Sequence, residues 1–454
     1  MMAGAGMTRL ARRGAAALGL PLILLLLAAC AEREVILPGE RLHLREVLRG
    51  PTAEPDPWEA ERPNRAAPIA LPAAQVNAGW THGIGTPRYR PAHPALSHPL
   101  EPVWSADIGE GDSRRQRLTT DPIVADGRIF TIDAASRLTA TSLAGETLWT
   151  LNLVPARDRA GEAIGGGLAA GGGLLFATTG YGRLLAIDPE TGAVRWDQKL
   201  DATGTGDPTY RDGLVYLVAG DTTAWAIEAE TGRIRWRNDG VADVRNVAGG
   251  PAPAFAAGLV VFAFGSGELQ GVFPDGGLAR WSALVAGRRE GTALSLVDDI
   301  TGGPVIADGR VFAANNAGRL AALDLQSGER IWTAEQGAFD LIWPAGDSLF
   351  LVNDRNELLR LDASDGSRIW GVELPRYTRD RPRRRAEIFP QFGPVLAGGR
   401  LIVAGGDEVL RVFDPESGAL VQSLALPGGA TATPVVAGGT LYVVTKRGQL
   451  HAFR

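Results

Sequence analysis

Histidine, cysteine, carboxylate and arginine are the side chains through which this chain could do chemistry, and their placing narrows what that chemistry is. Of the five histidines only His451 lies beyond residue 98. Imidazole-based acid–base or nucleophilic catalysis therefore has almost no material in the body of the chain. His82, His93 and His98 are near one another in sequence, but no pair has the i, i+4 spacing that sets two imidazoles on one helix face, so they read as loop residues. A single cysteine, Cys30, excludes an intrachain disulfide and a cysteine-based zinc site. Asp188, Asp324, Asp362 and Asp414 recur at one place in a repeated phrase. A repeated Asp caps a turn through its own side chain far more often than it acts as a base. No P-loop, HExxH or GxSxG occurs, and the Gly-rich runs at 165–167 and 171–173 read as hairpin turns. Six arginines, Arg376, Arg379, Arg381, Arg383, Arg384 and Arg385, crowd one stretch between repeats; such a cluster could attract anionic lipid or lipopolysaccharide, and a solvated charged loop is the favoured reading. With a formal net charge of −5, the body argues against nucleic acid as a partner, since phosphate binding needs a cationic surface.

The cysteine acquires a role from its surroundings. Arg9, Arg12 and Arg13 precede an apolar run over residues 15–29, which is shorter than the ~20 residues a spanning helix needs. Charged head, short apolar core and small residues make a secretory signal peptide over 1–29. The sequence Leu27-Ala28-Ala29-Cys30 looks like a bacterial lipobox, in which the thiol is diacylated and the signal is cut before it. Two or three acyl chains give stable membrane anchoring. Ala31 after the cysteine favours the outer membrane, by resemblance to known sorting rules. Residues 30–100 then read as a lipidated, Pro-rich tether. Eleven prolines fall between 31 and 100, which forbids long helices and central strands, although a short helix over 42–49 is allowed. Trp80 is too apolar to swing free and is expected to dock.

Residues 101–454 are one repeated unit. Gly, three residues, Trp recurs in Gly145-Glu-Thr-Leu-Trp149, Gly192-Ala-Val-Arg-Trp196, Gly232-Arg-Ile-Arg-Trp236, Gly277-Leu-Ala-Arg-Trp281, Gly328-Glu-Arg-Ile-Trp332 and Gly366-Ser-Arg-Ile-Trp370. A seventh copy, Gly418-Ala-Leu-Val-Gln422, has lost its Trp. Upstream of each lies an alternating strand, as in Arg183-Leu-Leu-Ala-Ile-Asp188, and before that two apolar strands around Asp-Gly or Gly-Gly, a type I′ hairpin signal. Four short strands per repeat with no helical pattern describe an all-β propeller of four-stranded antiparallel blades, each covering the faces of the next. The last unit has three strands and then the chain stops, while Pro102-Val-Trp104-Ser-Ala-Asp-Ile108 is a strand with nothing before it. Pairing these ends gives eight blades. Seven is the alternative if the unit around Trp281 or Trp343 is degenerate.

The phrase Ala186-Ile-Asp188-Pro-Glu-Thr191-Gly192-Ala-Val-Arg-Trp196 resembles the tryptophan-docking repeat of PQQ-type propellers. With the lipobox, eight blades and no insertions, the chain is similar to the BamB family of lipoproteins of the outer-membrane β-barrel assembly machinery. That resemblance implies a non-enzymatic scaffold without a cofactor, lipid-anchored at the periplasmic face of the outer membrane. It would bind the POTRA region of a BamA-type barrel protein and help deliver unfolded outer-membrane clients to it. It implies partner contacts in two loops, Asp243-Val244-Arg245-Asn246-Val247 and Leu296-Val297-Asp298-Asp299-Ile300, with Val244, Arg245, Asp298 and Asp299 as the contact residues. A quinoprotein dehydrogenase is the alternative; that class commonly has a vicinal disulfide that this chain cannot form. A ligand-binding propeller is the third.

Overall fold

Asp126-Gly127 and Asp308-Gly309 show how the sequence builds a blade. Both residues of each pair take positive φ (49° and 72°; 48° and 72°), the type I′ geometry whose twist suits a tight hairpin. Each hairpin continues through two further antiparallel strands, so that four strands lie in sequence order in a sheet. The computed structural model describes residues 64–454 except 84, 88–92, 203–205, 221, 242–249, 288, 290–298 and 380. Eight such sheets are present. Blades 1 to 7 span residues 123–152, 168–199, 209–239, 254–284, 305–334, 343–373 and 391–425. Blade 8 is built from both ends: its inner three strands lie in 435–453, and its outer strand is Pro102–Asp107, in register with Gln449–Phe453. The eight-bladed ring with N-terminal closure is the expected architecture. The units around Trp281 and Trp343 are both complete, so the seven-bladed alternative falls away. The signal segment 1–29, Cys30, the tether to 63 and the short helix over 42–49 lie outside the described residues.

In blades 1 to 3 the first three strands are mostly buried, while the fourth alternates exposed and half-buried. The first strand therefore lines the axis and the fourth forms the rim. The rim is fastened by one repeated clasp. The Trp of each fourth strand lies over the glycine of the next blade's turn between third and fourth strands. Trp196 stands 2.8 Å from where a Cβ on Gly232 would be, and Trp149 meets Gly192 and Trp236 meets Gly277 likewise. These glycines have φ near +70°, so both the conformation and the ring exclude a side chain. Each indole N–H donates to the first carbonyl of the same turn, as in Trp196 to Ala229 (2.8 Å), Trp236 to Pro274 (2.7 Å), Trp281 to Leu325 (2.9 Å) and Trp370 to Pro415 (3.2 Å). Trp332 does so on blade 6, and Trp104 carries the pattern across the closure, meeting Gly145 of blade 1 and donating to Leu143.

The lost Trp at 422 has a topological cause. Blade 7 faces blade 8, whose third and fourth strands come from opposite ends of the chain, so no turn joins them and there is no glycine to cover. Gln422 instead clamps the incoming chain: its Oε1 accepts from the Leu100 N–H (2.9 Å) and its amide donates to the Leu100 carbonyl (2.8 Å).

The two Gly-rich runs part company. Residues 171–173 form the expected hairpin turn, but 165–167 lead into the strand Leu168–Gly171 and are not one. They are glycine because the chain passes close to Thr178 and Asp207: a Cβ on Gly166 would stand 2.4 Å from the Thr178 carbonyl, and one on Gly167 1.9 Å from an Asp207 carboxylate oxygen.

Residues 64–100 belong to this same compact unit, which begins at Glu61. They run across the first strands of most of the blades. Trp80 exchanges two main-chain bonds of 2.7 Å with Val124 of blade 1, and Thr81 accepts from Ala170 of blade 2 (2.8 Å). The His82 ring accepts from Tyr210 of blade 3 (3.0 Å), and Pro87 accepts from Phe255 of blade 4 (2.7 Å). Further on, Pro94 accepts from Gly398 of blade 7 (2.9 Å) and Asn77 from Gly438 of blade 8 (2.8 Å). Trp80, fully buried, stacks on Trp343 of blade 6 at 6.3 Å. A segment touching blades on every side of a ring must cross its axis.

Candidate functional site

Three places could carry function: the rim, the axis, and the face onto which the loops between blades open. At the rim the recurring aspartates are structural. Asp188 Oδ1 accepts from the N–H groups of Glu190 (3.0 Å) and Thr191 (3.1 Å), and Asp324 and Asp414 repeat the pattern. The N–H and hydroxyl of Ser327 hold the Asp324 carboxyl below its ordinary value, which stabilises the charged acceptor and makes a poor base.

On the axis, the segment around Trp80 closes one end and a cavity of about 710 Å³ opens towards the other. Asp121, Asp207 and Asp340 line it beside Phe339, Val352, Ile388 and Phe392. Asp340 accepts from the Thr433 hydroxyl (3.0 Å), and Asp121 accepts from the Thr433 N–H (2.8 Å). Gly83, next to the buried His82, reaches down so far that a Cβ there would stand 3.2 Å from Asp207 and 3.6 Å from Asp121. Desolvation in this narrow channel pushes the Asp207 carboxyl up to about 7. The described lining has three carboxylates and neither Lys nor Arg, so an anionic quinone would meet like charge there. These residues do not fit such a cofactor. Among the described residues no group of three or more His, Cys, Asp or Glu is arranged to hold a metal ion.

The loop histidines have separate structural tasks. His82 is buried with its ring between the Thr81 hydroxyl (2.8 Å) and the Tyr210 N–H, and burial drives its pKa down to about 3. His93 accepts from the Gly399 N–H (2.8 Å), and His98 donates to the Ala397 carbonyl (3.1 Å), both on blade 7.

On the loop face, the connections preceding blades 4 and 5 are those expected to meet a partner. Val244, Arg245 and Asp298 lie outside the described residues. Asp299 is described and buried, with its carbonyl accepting from the Asn316 N–H (2.9 Å). Ile300 is fully buried beside it, and the Thr301 hydroxyl donates to the Phe339 carbonyl (2.9 Å). The exit of the second loop is thus pinned to the core. The first loop is bounded by Val241, whose N–H bonds Glu268 (2.8 Å), and by Gly250, whose carbonyl accepts from Asp207 (3.1 Å). Both precede first strands of adjacent blades, so both open on the same face.

A family profile described as outer membrane protein assembly factor BamB matches residues 134–372 and 381–454, most of the propeller. The chain belongs to the BamB family. The BamB of Salmonella typhimurium is 29% identical over 355 residues, 77% of this chain and 88% of that protein. The crystal structure of BamB from Moraxella catarrhalis superposes with a TM-score of 0.65 at 18% identity, covering 78% of this chain and 99% of that one. A quinohemoprotein alcohol dehydrogenase from Comamonas testosteroni shares the fold nearly as well, with a TM-score of 0.63 at 16% identity over 84% of this chain and 81% of that one. Fold alone therefore does not separate BamB from the quinoproteins; the sequence match does.

Sequence reading missed Arg360. In most blades the third-strand residue opposite the rim Trp is Ala or Gly: Ala140, Ala186, Ala226, Gly271 and Ala322. In blade 6 it is Arg360, fully buried opposite Trp370. Its guanidinium donates to the carbonyls of Ala67 and Pro68 and to the Ser348 hydroxyl, fastening the axial segment. The signal was present, an Arg in Leu358-Leu359-Arg360 where blade 2 has Leu184-Leu185-Ala186.

Proposed function

We propose that this chain is a non-enzymatic scaffold of outer-membrane protein assembly, anchored through acylated Cys30 at the periplasmic face of the outer membrane. It binds the POTRA region of a BamA-type barrel protein and assists insertion of β-barrel proteins. The observation that carries this reading is the BamB family match along the propeller. The partner is met by the loops that precede blades 4 and 5. Val244, Arg245 and Asp298 supply the contact, and the buried Asp299 holds the second loop in place. A rigid ring suits the task, because ordering at the interface then costs little and few residues need carry the affinity.

Arg245→Glu combined with Asp298→Arg tests this, with Asp299 untouched. Co-purification of a BamA-type protein from solubilised membranes should be lost with an unchanged melting temperature, and retained capture would move the interface elsewhere. Cys30→Ser should abolish palmitate labelling and leave the protein either uncleaved or released from membranes; unchanged retention with normal processing would refute the anchor. The quinoprotein alternative requires dye-linked alcohol oxidation on adding quinone and calcium, which the carboxylate-lined axis argues against.

A further inference from the structure

The loop joining blades 6 and 7 is a built hairpin. Its stem is closed by the Phe389 N–H on the Arg376 carbonyl (2.7 Å) and the Thr378 N–H on the Glu387 carbonyl (3.0 Å). The Tyr377 ring lies between the guanidinium groups of Arg376 (5.1 Å) and Arg385 (5.0 Å). At the tip Arg379, Arg381, Arg383 and Arg384 are exposed, and none has an ion-pair partner among the described residues. The hairpin is joined to a second basic loop through a chain of contacts. Pro390 packs on Gly406, the Lys446 ammonium donates to the Gly406 carbonyl (3.0 Å), and the Lys446 carbonyl accepts from Asp112 (2.7 Å). Beyond Asp112, Arg114 and Arg115 are exposed on the loop leading into blade 1, which opens on the same face. Among the described residues the exposed carboxylates of these segments are Glu110, Glu373, Glu387 and Glu408, of which Glu408 is paired with Arg447 (3.7 Å), while Asp380 within the tip lies outside the described residues.

We propose that this basic sector, with the 379–384 tip at its centre, docks the propeller on an anionic, phosphate-bearing membrane surface. Three observations favour a lipid surface over an acidic protein. The tip has no large apolar side chain, whereas a protein interface is carried by a buried aromatic or aliphatic anchor. The exposed guanidinium groups of Arg381, Arg383 and Arg384 suit phosphate oxygens, which accept two parallel N–H bonds. The chain that leads back to Cys30 leaves the propeller on blade 6 as well: Asn64 exchanges bonds with Gly371 (2.8 and 3.0 Å), on the strand Arg368–Glu373 from which the hairpin issues. This last argument rests on the anchored placement proposed above.

The test uses the mature chain, residues 30–454, carrying Cys30→Ser, which lacks both the apolar signal and the acylation site and so separates docking from anchoring. Its co-sedimentation is measured with vesicles of pure phosphatidylcholine and of phosphatidylcholine mixed with phosphatidylglycerol. Binding to the mixed vesicles alone, lost at high salt, is expected. Arg381→Ser, Arg383→Ser and Arg384→Ser together should weaken it by at least ~10-fold at an unchanged melting temperature. Millimolar inorganic phosphate should leave it intact; displacement would move the ligand to a soluble phosphate and overturn the membrane assignment. Indifference to vesicle charge, or a triple variant that binds as well as its parent, overturns the proposal. So does a triple variant that keeps vesicle binding and instead loses a protein partner.

Discussion

The rim and the axis of this propeller are both held by tryptophans, but under different rules. At the rim seven Trp residues repeat one local arrangement, each leaning on a positive-φ glycine one blade ahead and donating to one carbonyl of the same turn. Most of these side chains are only half-buried, so each clasp is modest and the ring is strong by number. At the axis a single fully buried ring, Trp80, stacks on Trp343 and carries a segment that reaches blades on all sides. Its loss is felt by several blades at once. The contrast teaches that a repeat protein can distribute its sideways cohesion and still concentrate its closure in one non-repeating segment.

The largest expected effect comes where rim and closure coincide. Deleting residues 101–109 removes the outer strand of blade 8 and with it half-buried Trp104, worth ~1–3 kcal/mol like the other rim rings before the lost ladder is counted. Thermal melting should shift down steeply. A deletion variant melting within a few degrees of the parent would show that the ring does not depend on this strand.

Trp80→Ala should cost ~3–5 kcal/mol, against ~1–3 kcal/mol for the half-buried Trp196→Ala at the rim. Denaturant titration of both variants gives the order, and a rim loss equal to the axial one would erase the distinction between the two regions.

The axis should also respond to acid through His82. Burial holds its folded-state pKa near 3, below the ordinary 6.5, so only the unfolded chain takes up this proton between those values. Stability from the neutral ring is complete above pH 6.5 and falls as pH drops towards 3, by about 2 kcal/mol at pH 5. Asp207, raised to about 7, acts in the opposite direction: it is protonated in the folded state and charged in the unfolded one between pH 7 and 3.8. The difference between wild type and His82→Gln isolates the histidine, and the wild-type advantage should shrink on going from pH 7 to 5. A pH-independent difference would mean that His82 is already matched in the unfolded chain.

The smallest effect sharpens the account of the missing clasp. Gln422→Ala loses two hydrogen bonds to Leu100, ~1–2 kcal/mol. Gln422→Trp should be no more stable than the parent, since blade 8 offers no turn glycine. A stabilised Gln422→Trp would show that the repeat, and not the closure, dictates that position.

Much of this was legible beforehand. The Gly-x-x-x-Trp phrases placed the rim, the Asp-Gly pairs placed hairpins, and an orphan strand at Trp104 beside an unfinished last unit placed the closure. The recurring Asp was readable as a turn cap because its partners lie two and three residues ahead. The loops bearing Val244, Arg245 and Asp298 were named from resemblance, and only the burial of Asp299 and Ile300 has a structural account. Arg360 broke the repeat in plain view, but its meaning depends on Ala67 and Pro68, nearly three hundred residues away.

By itself, then, the sequence determined the blade, the number of blades and the clasp between them. Those features rest on contacts repeated at a regular period, and periodicity is readable without knowing where anything lies in space. Only the tertiary structure decided the fate of residues 64–100, the closed end of the axis and the meeting of Trp80 with Trp343. No period marks these residues, because their partners are drawn from blades around the whole ring, which only the closed fold brings together.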